Sequence, residues 1–231
     1  MGMHFGLVAV KAPLDRFRET FTGVWPRLQL VTSASSFLER SEIWRWMENN
    51  GKFVSAAAWT PTNRGTQTGL FCQDGPWAIF MDNSYTLVSD EDALKKLSLQ
   101  FGTVISFVVE TAGGCAYFWC YENGGARRVI SNVDGKLDYR GEPLPEEEGI
   151  PAGRYYMAET EALISAFGLT PIEGLPVAAT TVAVALEDTT DYSHLASKMR
   201  IAPEKALAAS SPSASSESPQ ATPRKSWWRF W

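Results

Sequence analysis

The sequence predicts an α+β fold, with a mainly antiparallel sheet, covering helices, a disordered linker and a short C-terminal tail. Two observations carry this prediction. Between residues 103 and 139, short apolar segments alternate with tight-turn residues, as in a strand meander. Elsewhere, apolar side chains recur at helical spacing between candidate strands. With 45% hydrophobic residues among 231, the chain has enough apolar material for one full-sized core or two small ones.

The first elements predicted are a strand over residues 4–10 and a helix in "PLDRFRETFTGVWP", between Pro13 and Pro26. The apolar side chains of this helix form one stripe, namely Leu14, Phe17, Phe21, Val24 and Trp25. A second helix is predicted from a capping box at Ser36 and Glu39 to Gly51. Trp44 and Trp46 lie about 200° apart on this helix, so one is expected in the core and the other elsewhere.

Residues 52–88 predict short strands around a polar loop at 60–69, with "PWAIFMD" as the clearest strand. A third helix is predicted in "SDEDALKKLSLQFG". Its signals are a capping pattern at Ser89 and Asp92, an apolar seam and a terminating Gly102. The seam consists of Leu94, Leu97 and Phe101.

The meander consists of "TVISFVVE", "CAYFWCYE", "ARRVISNV" and "KLDY". Asn123-Gly124 and Asp134-Gly135 predict hairpin turns, since both central positions of such turns need positive φ. A connector over 140–153, a helix in "AETEALISAFG" and a buried strand in "VAATTVAVAL" complete the predicted body. The helix is expected to turn Leu163, Ile164 and Phe167 inward and to end at Gly168.

These elements predict a globular domain over residues 1–200, built either as one body or as two lobes that meet near residue 88. Residues 201–223 are rich in Ala, Ser and Pro and predict a disordered linker. Residues 224–231, "RKSWWRFW", form a basic and aromatic tail.

Charge and cysteine usage limit the environment and the partners. The net charge is −5, of which residues 201–231 contribute +2, so the body carries −7. An acidic body argues against nucleic acid as the main partner. Three cysteines favour a reducing, cytoplasmic compartment, and "MGMHFGLVAVK" lacks the features of a secretory signal.

The residue types that carry chemistry predict no catalytic residue, metal ligand or cofactor. His4 and His194 are not placed beside a cysteine, and Cys72 is interpreted as a plain buried thiol. Cys115 and Cys120 have opposite parity on one strand, so they cannot clamp a metal together. Neither GxGxxG nor GxxxxGK[ST] occurs. The acidic run 146–148 is interpreted as a solvated connector.

The strand "CAYFWCY" offers a candidate partner-binding surface. Tyr117, Trp119 and Tyr121 share one face, and Arg127 and Arg128 follow in the next strand. Tyr, Trp and Arg are enriched in binding hot spots, but they are also ordinary sheet-covering residues, and we favour the core interpretation for the three rings.

Residues 121–149, "YENGGARRVISNVDGKLDYRGEPLPEEEG", carry a resemblance. This hairpin, whose arm ends in a Gly-Glu-Pro-Leu-Pro-Glu-Glu connector, resembles uncharacterised bacterial proteins related to toxin-immunity families. The resemblance implies a small bacterial cytoplasmic protein that works by binding another protein.

The tail has the composition of a weak docking element. Its cations are Arg224, Lys225 and Arg229, and its aromatic residues are Trp227, Trp228, Phe230 and Trp231. Each cation near an anionic membrane contributes roughly 1 kcal/mol, and tryptophan favours the bilayer interface. The tail is expected to dock to the inner face of a membrane or to a protein; folding back on its own domain is the alternative.

The function expected from the sequence is that of a non-catalytic cytoplasmic interaction protein, immunity-like or an adaptor, which docks through its tail. The alternative is an enzyme of unrecognised class, which predicts a deep pocket with clustered titratable side chains.

Overall fold

A computed structural model describes residues 4–52, 54, 60, 65–82, 85–111, 113–170 and 181–190. Within these ranges lie nine strands, four α-helices and one 3₁₀ helix, Pro145–Glu147. The strands are β1 (His4–Lys11), β2 (Leu28–Ser35), β3 (Gln67–Asp74), β4 (Trp77–Asp82), β5 (Thr103–Glu110), β6 (Cys115–Glu122), β7 (Gly125–Val133), β8 (Lys136–Arg140) and β9 (Val182–Asp188). The helices are α1 (Leu14–Val24), α2 (Arg40–Asn50), α3 (Glu91–Phe101) and α4 (Met157–Ala166).

All nine strands belong to one sheet, in the order β2-β9-β3-β4-β1-β5-β6-β7-β8. Every neighbouring pair is antiparallel, which confirms the α+β prediction. Because β1 pairs with both β4 and β5, segments on either side of residue 88 share this sheet. Contacts divide the chain into two units, and the unit with residues 1–53 and 65–189 contains every element given above. The other unit comprises residues 54–64 and 190–231.

Helices cover both faces of the sheet. Val8 and Val10 of β1 point to a first core, which contains the buried faces of α1 and α3. Leu7 and Ala9 point to a second core, which contains α4. The alternation follows from the period of two in strand side chains. A third, smaller core joins α2 to β9 through Ile43, Met47 and Ala183.

The predicted apolar stripes are confirmed in three helices. The five residues of the α1 stripe are buried, and so are Leu94 and Leu97 of α3, while Phe101 is half-buried against the same core. The N-cap of α3 is Asp90, one residue after the predicted Ser89; its side chain accepts a hydrogen bond from the Ala93 amide. Gly102 ends the helix at φ 83°, as predicted. In α4, Leu163 and Ile164 are buried, while the half-buried Phe167 packs against the second core.

The start of α2 differs from the prediction. The helix begins at Arg40, and Glu39 with Glu42 forms the capping box, so Ser36 lies outside the helix with φ 66°. Glu42 accepts hydrogen bonds from the amides of Leu38 and Glu39, at 2.8 and 3.3 Å, which places the cap three residues further on. The expectation that Trp44 or Trp46 enters the core is wrong. Ile43 and Met47 occupy the buried stripe, and both tryptophans lie half-buried beside it.

The meander is confirmed as β5 to β8, joined by tight turns. Asn123 and Gly124 have φ values of 49° and 84°, and Asp134 and Gly135 have 51° and 80°, as the hairpin chemistry predicts. The strand predicted in "VAATTVAVAL" begins at Val182 in the structure, and its first part lies outside the described residues. The predicted linker and tail also lie outside them.

Candidate functional site

The aromatic side chains of β6 lie mainly inside the first core. Tyr121 is 0% exposed and Trp119 7% exposed, whereas Tyr117 is half-buried and stacks on Trp119 with 5.3 Å between ring centroids. The Tyr121 hydroxyl donates a hydrogen bond to Glu91 Oε2 at 2.8 Å. This placement agrees with the core interpretation, and it leaves Tyr117 as the ring of the three that a partner could reach.

Arg127 and Arg128 have different environments. The β6–β7 register shifts beside Arg127, which stays exposed and pairs with Glu122. Arg128 is buried; its Nε and Nη2 donate to the two carboxylate oxygens of Glu147 at 2.8 and 2.7 Å. Its Nη1 donates to the Gly141 carbonyl at 2.7 Å, and the guanidinium lies over the Tyr139 ring. Arg128 therefore holds the connector against the sheet.

Glu147 corrects the interpretation of residues 146–148 as a solvated connector. Its side chain is 13% exposed, and besides Arg128 it accepts a hydrogen bond from the Leu144 amide at 2.9 Å. The 3₁₀ turn at Pro145–Glu147 directs this carboxylate inward, which a linear run of three acidic residues does not reveal. Burying a carboxylate is costly unless it is paired and hydrogen-bonded, and Glu147 has both kinds of partner.

Two of the three thiols are buried. Burial raises the pKa of Cys72 to about 12, with the Asp74 carboxylate adding to the effect. Burial also raises the pKa of Cys120 to about 12, with Glu122 as the next cause. Thiolate is the nucleophilic form of cysteine, so neither group is prepared for nucleophilic chemistry near neutral pH. Cys115 is half-buried and lies 3.2 Å from the Gly113 carbonyl oxygen.

A shallow depression of about 460 Å³ lies where β1 joins α1 and β3 turns into β4. The Gln73 amide at its wall already donates to the carbonyls of Ala12 and Gly75, at 3.3 and 2.9 Å. The Lys11 ammonium lies 5.0 Å from the centroid of the Trp77 ring. Among the residues that line the depression, Lys11 has a titratable side chain and the others do not. The depression therefore lacks the acid–base cluster that the enzyme alternative predicts. In the described part of the chain, no three His, Cys, Asp or Glu side chains group as a metal site.

The strongest candidate for a binding surface is one that the sequence analysis missed. It comprises β2 and the exposed side chains of Leu30, Val31 and Leu38, and we name it the β2–α2 surface. Leu30 is 46% exposed, Val31 52% and Leu38 87%. Among the described residues, five large apolar side chains are exposed, and these are three of them. Phe37, Trp44 and Trp46 lie half-buried beside the small core of α2.

β2 forms one end of the sheet and pairs with β9 alone among the described strands. Residues 29–33 are exposed although their side chains alternate between the faces of the sheet, whereas every residue of β4 is buried. An edge strand directs alternate N–H and C=O groups away from its neighbour, and these groups can pair with another strand. A bulge at Val31 divides β2, and the four residues after it form a regular ladder with β9.

The two edges of the sheet differ in chemistry. β8, at the other end, has five residues and places Lys136, Asp138 and Arg140 on one face. Short length and charged side chains are the usual protection of an edge against strand pairing. β2 has eight residues, "LQLVTSAS", without a charge or a proline. Among the described residues, the protection that β2 shows is its bulge.

The tail residues predicted to dock, 224–231, lie outside the described residues. No helix in the described ranges has the length and apolar character needed to cross a bilayer. Comparison with known proteins returned no matching family model, no matching curated protein and no matching solved structure.

Proposed function

We propose that the protein is a non-catalytic interaction protein, and that it binds a protein partner by strand addition at the β2–α2 surface. The open edge of β2 beside Leu30, Val31 and Leu38 is the observation that carries this proposal. In strand addition, main-chain hydrogen bonds provide affinity and neighbouring side chains provide specificity. Covering one exposed Leu or Val side chain contributes roughly 1 to 2 kcal/mol, so the three together add to the affinity that the main-chain hydrogen bonds provide.

The tail supplies a second, independent docking element in this proposal. Its three cations and four aromatic residues suit an anionic membrane surface or a pocket on a protein. Because the body carries −7, the tail would be the part that approaches an anionic bilayer. The proposed location is therefore the cytoplasm, with reversible contact at the inner face of the membrane. The resemblance to immunity-related proteins supports a binding role as well.

Site-specific photo-crosslinking in cells tests binding at β2. A benzophenone amino acid replaces Ser33, which lies in the middle of β2. The Ser33 side chain is exposed, so its replacement should cost little stability. The matched control carries it at Leu99 of α3, which is 69% exposed. We expect adducts with protein from position 33 and none above background from position 99. Equal background at both positions would remove the support for a binding role of β2.

Co-sedimentation with vesicles tests the tail. We expect the full chain to bind anionic vesicles at low salt, and a full-length variant with Trp227, Trp228, Phe230 and Trp231 changed to Ser to lose this binding. Salt should weaken the wild-type binding, since surface charges are screened within about 10 Å at 0.1 M. Equal sedimentation of both proteins would leave protein docking as the proposed role of the tail.

A further inference from the structure

We propose that the partner at the β2–α2 surface is a second copy of this chain. Two β2 strands would pair antiparallel about a two-fold axis, so that two nine-stranded sheets become one continuous sheet. This inference rests on the proposed function, because it names the occupant of the same surface. Closed two-fold pairs are the commonest oligomers, and their interfaces must be self-complementary.

β2 has no charged side chain that would oppose pairing with its own copy, whereas the charged side chains of β8 oppose self-pairing. Antiparallel self-pairing of β8 about Asp138 would place Asp138 opposite its own copy and Lys136 opposite Arg140. Like charges directly opposite each other in a ladder are destabilising. β2 contains no charged residue, so no self-pairing register brings like charges of this strand together.

The side-chain pattern of β2 selects one register. With the axis at Ala34, this residue faces its own copy, Ser33 lies opposite Ser35 of the second copy and Thr32 lies across from Ser36, so small side chains meet along the paired stretch. Thr and Ser across a strand pair can also hydrogen-bond to each other. The same register brings Leu30 and Val31 toward the Phe37–Leu38 segment of the other copy. Both copies then cover their exposed apolar side chains at once.

The bulge of β2 is compatible with this arrangement. The β2–β9 register shifts between Leu30 and Thr32 and is continuous from Thr32 to Ser35. A bulge twists an edge strand away from partners where it occurs. Here it lies at Val31, just before the residues that would pair, Thr32 to Ser36. Pairing of β2 with β8 of another copy would instead leave a free edge at each end, so it would not close.

Sedimentation equilibrium of the full chain, with charge-swapped variants, tests the inference. We expect wild-type protein to change from monomer to dimer between roughly 1 and 200 µM, because a short strand interface lies in the weak size class. Ser33→Lys and Ser33→Glu each place like charges beside the axis, so each alone should stay monomeric, with association weakened at least tenfold. An equimolar mixture of the two should dimerise again. Leu99→Lys, an exposed apolar residue on α3, should associate like wild type.

The outcomes separate this inference from the function on which it rests. A wild-type chain that stays monomeric at 200 µM, or a dimer that ignores both Ser33 changes, overturns self-pairing. In either case, crosslinks from position 33 to a different protein would still support strand addition. The two-fold pairing is supported if wild type and Leu99→Lys dimerise, Ser33→Lys and Ser33→Glu each stay monomeric, and the mixture of these two dimerises again. Circular dichroism of each variant shows whether it keeps the fold of the wild type.

Discussion

Arg127 and Arg128 are adjacent in the chain, yet only Arg128 is withdrawn from water. Its side chain is 6% exposed and that of Arg127 46% exposed. The bulge in β7 separates their directions, and Glu147 meets Arg128 from the connector. Removing one partner of a buried ion pair leaves the other charge without compensation, whereas an exposed pair is worth little.

We therefore expect Arg128→Ala to lower the free energy of unfolding by about 3 kcal/mol. Arg127→Ala is the matched control and should cost less than about 1 kcal/mol. Urea unfolding of both variants measures the difference. Equal costs for the two arginines would contradict the structural role given to Arg128 and Glu147.

The sequence analysis named Arg128 but not its environment. Strand parity places the three rings of β6 on one face, and this prediction depends only on local geometry. Burial depends on what covers a face. Glu147 reaches Arg128 from 19 positions away in the chain, through a 3₁₀ turn, and no local pattern encodes that contact.

At the scale of elements, turn chemistry and apolar periodicity were the reliable signals. The meander and the stripes of α1, α3 and α4 follow them. β2 was missed because most of its side chains are exposed, so the sequence has no alternation of apolar and polar residues to detect. The start of α2 was placed too early because Ser36 and Glu39 match the same capping pattern as Glu39 and Glu42. A strand without a buried face is the kind of element that periodicity cannot find.

Substituting two glycines near β7 and β8 tests how closely the two strands pack. Both have positive φ, 80° at Gly135 and 83° at Gly141. A Cβ at Gly135 would meet no atom within 4 Å, whereas one at Gly141 would lie 2.0 Å from the Arg127 carbonyl oxygen. We expect Gly135→Ala to cost roughly 1 kcal/mol, the ordinary penalty of positive φ, and Gly141→Ala distinctly more. Thermal unfolding measures both; equal effects would mean that Gly141 does not fix the close approach of β8 to β7.

At the scale of the whole molecule, the two buried thiols make the free energy of unfolding depend on pH in the alkaline range. The ordinary thiol pKa is 9.0, and in the folded protein the pKa of Cys72 and of Cys120 is about 12. Between these values the unfolded chain loses protons that the folded chain keeps. The stabilisation is therefore complete below pH 9 and is lost as pH rises toward 12. Burial raises the pKa of the Tyr121 phenol as well, which acts in the same direction.

We expect the free energy of unfolding, measured in reductant, to fall steadily above pH 9. The double variant Cys72→Ala, Cys120→Ala should be less stable at neutral pH because it leaves cavities, but its loss with pH should be shallower. An identical pH dependence in the two proteins would show that these thiols are not the groups responsible.

The central claim is that the outer edge of β2 is open in the single chain and closes when a protein strand pairs with it. Hydrogen–deuterium exchange of the β2 amides at low and high protein concentration tests this most directly. In the wild type, exchange in β2 should slow as concentration rises, while Ser33→Lys should exchange rapidly at every concentration. Equal exchange in both proteins at all concentrations would contradict self-pairing at β2. If, in addition, the β2 amides were protected from exchange at every concentration in both proteins, the edge of β2 would not be open. The proposed binding surface would then be wrong.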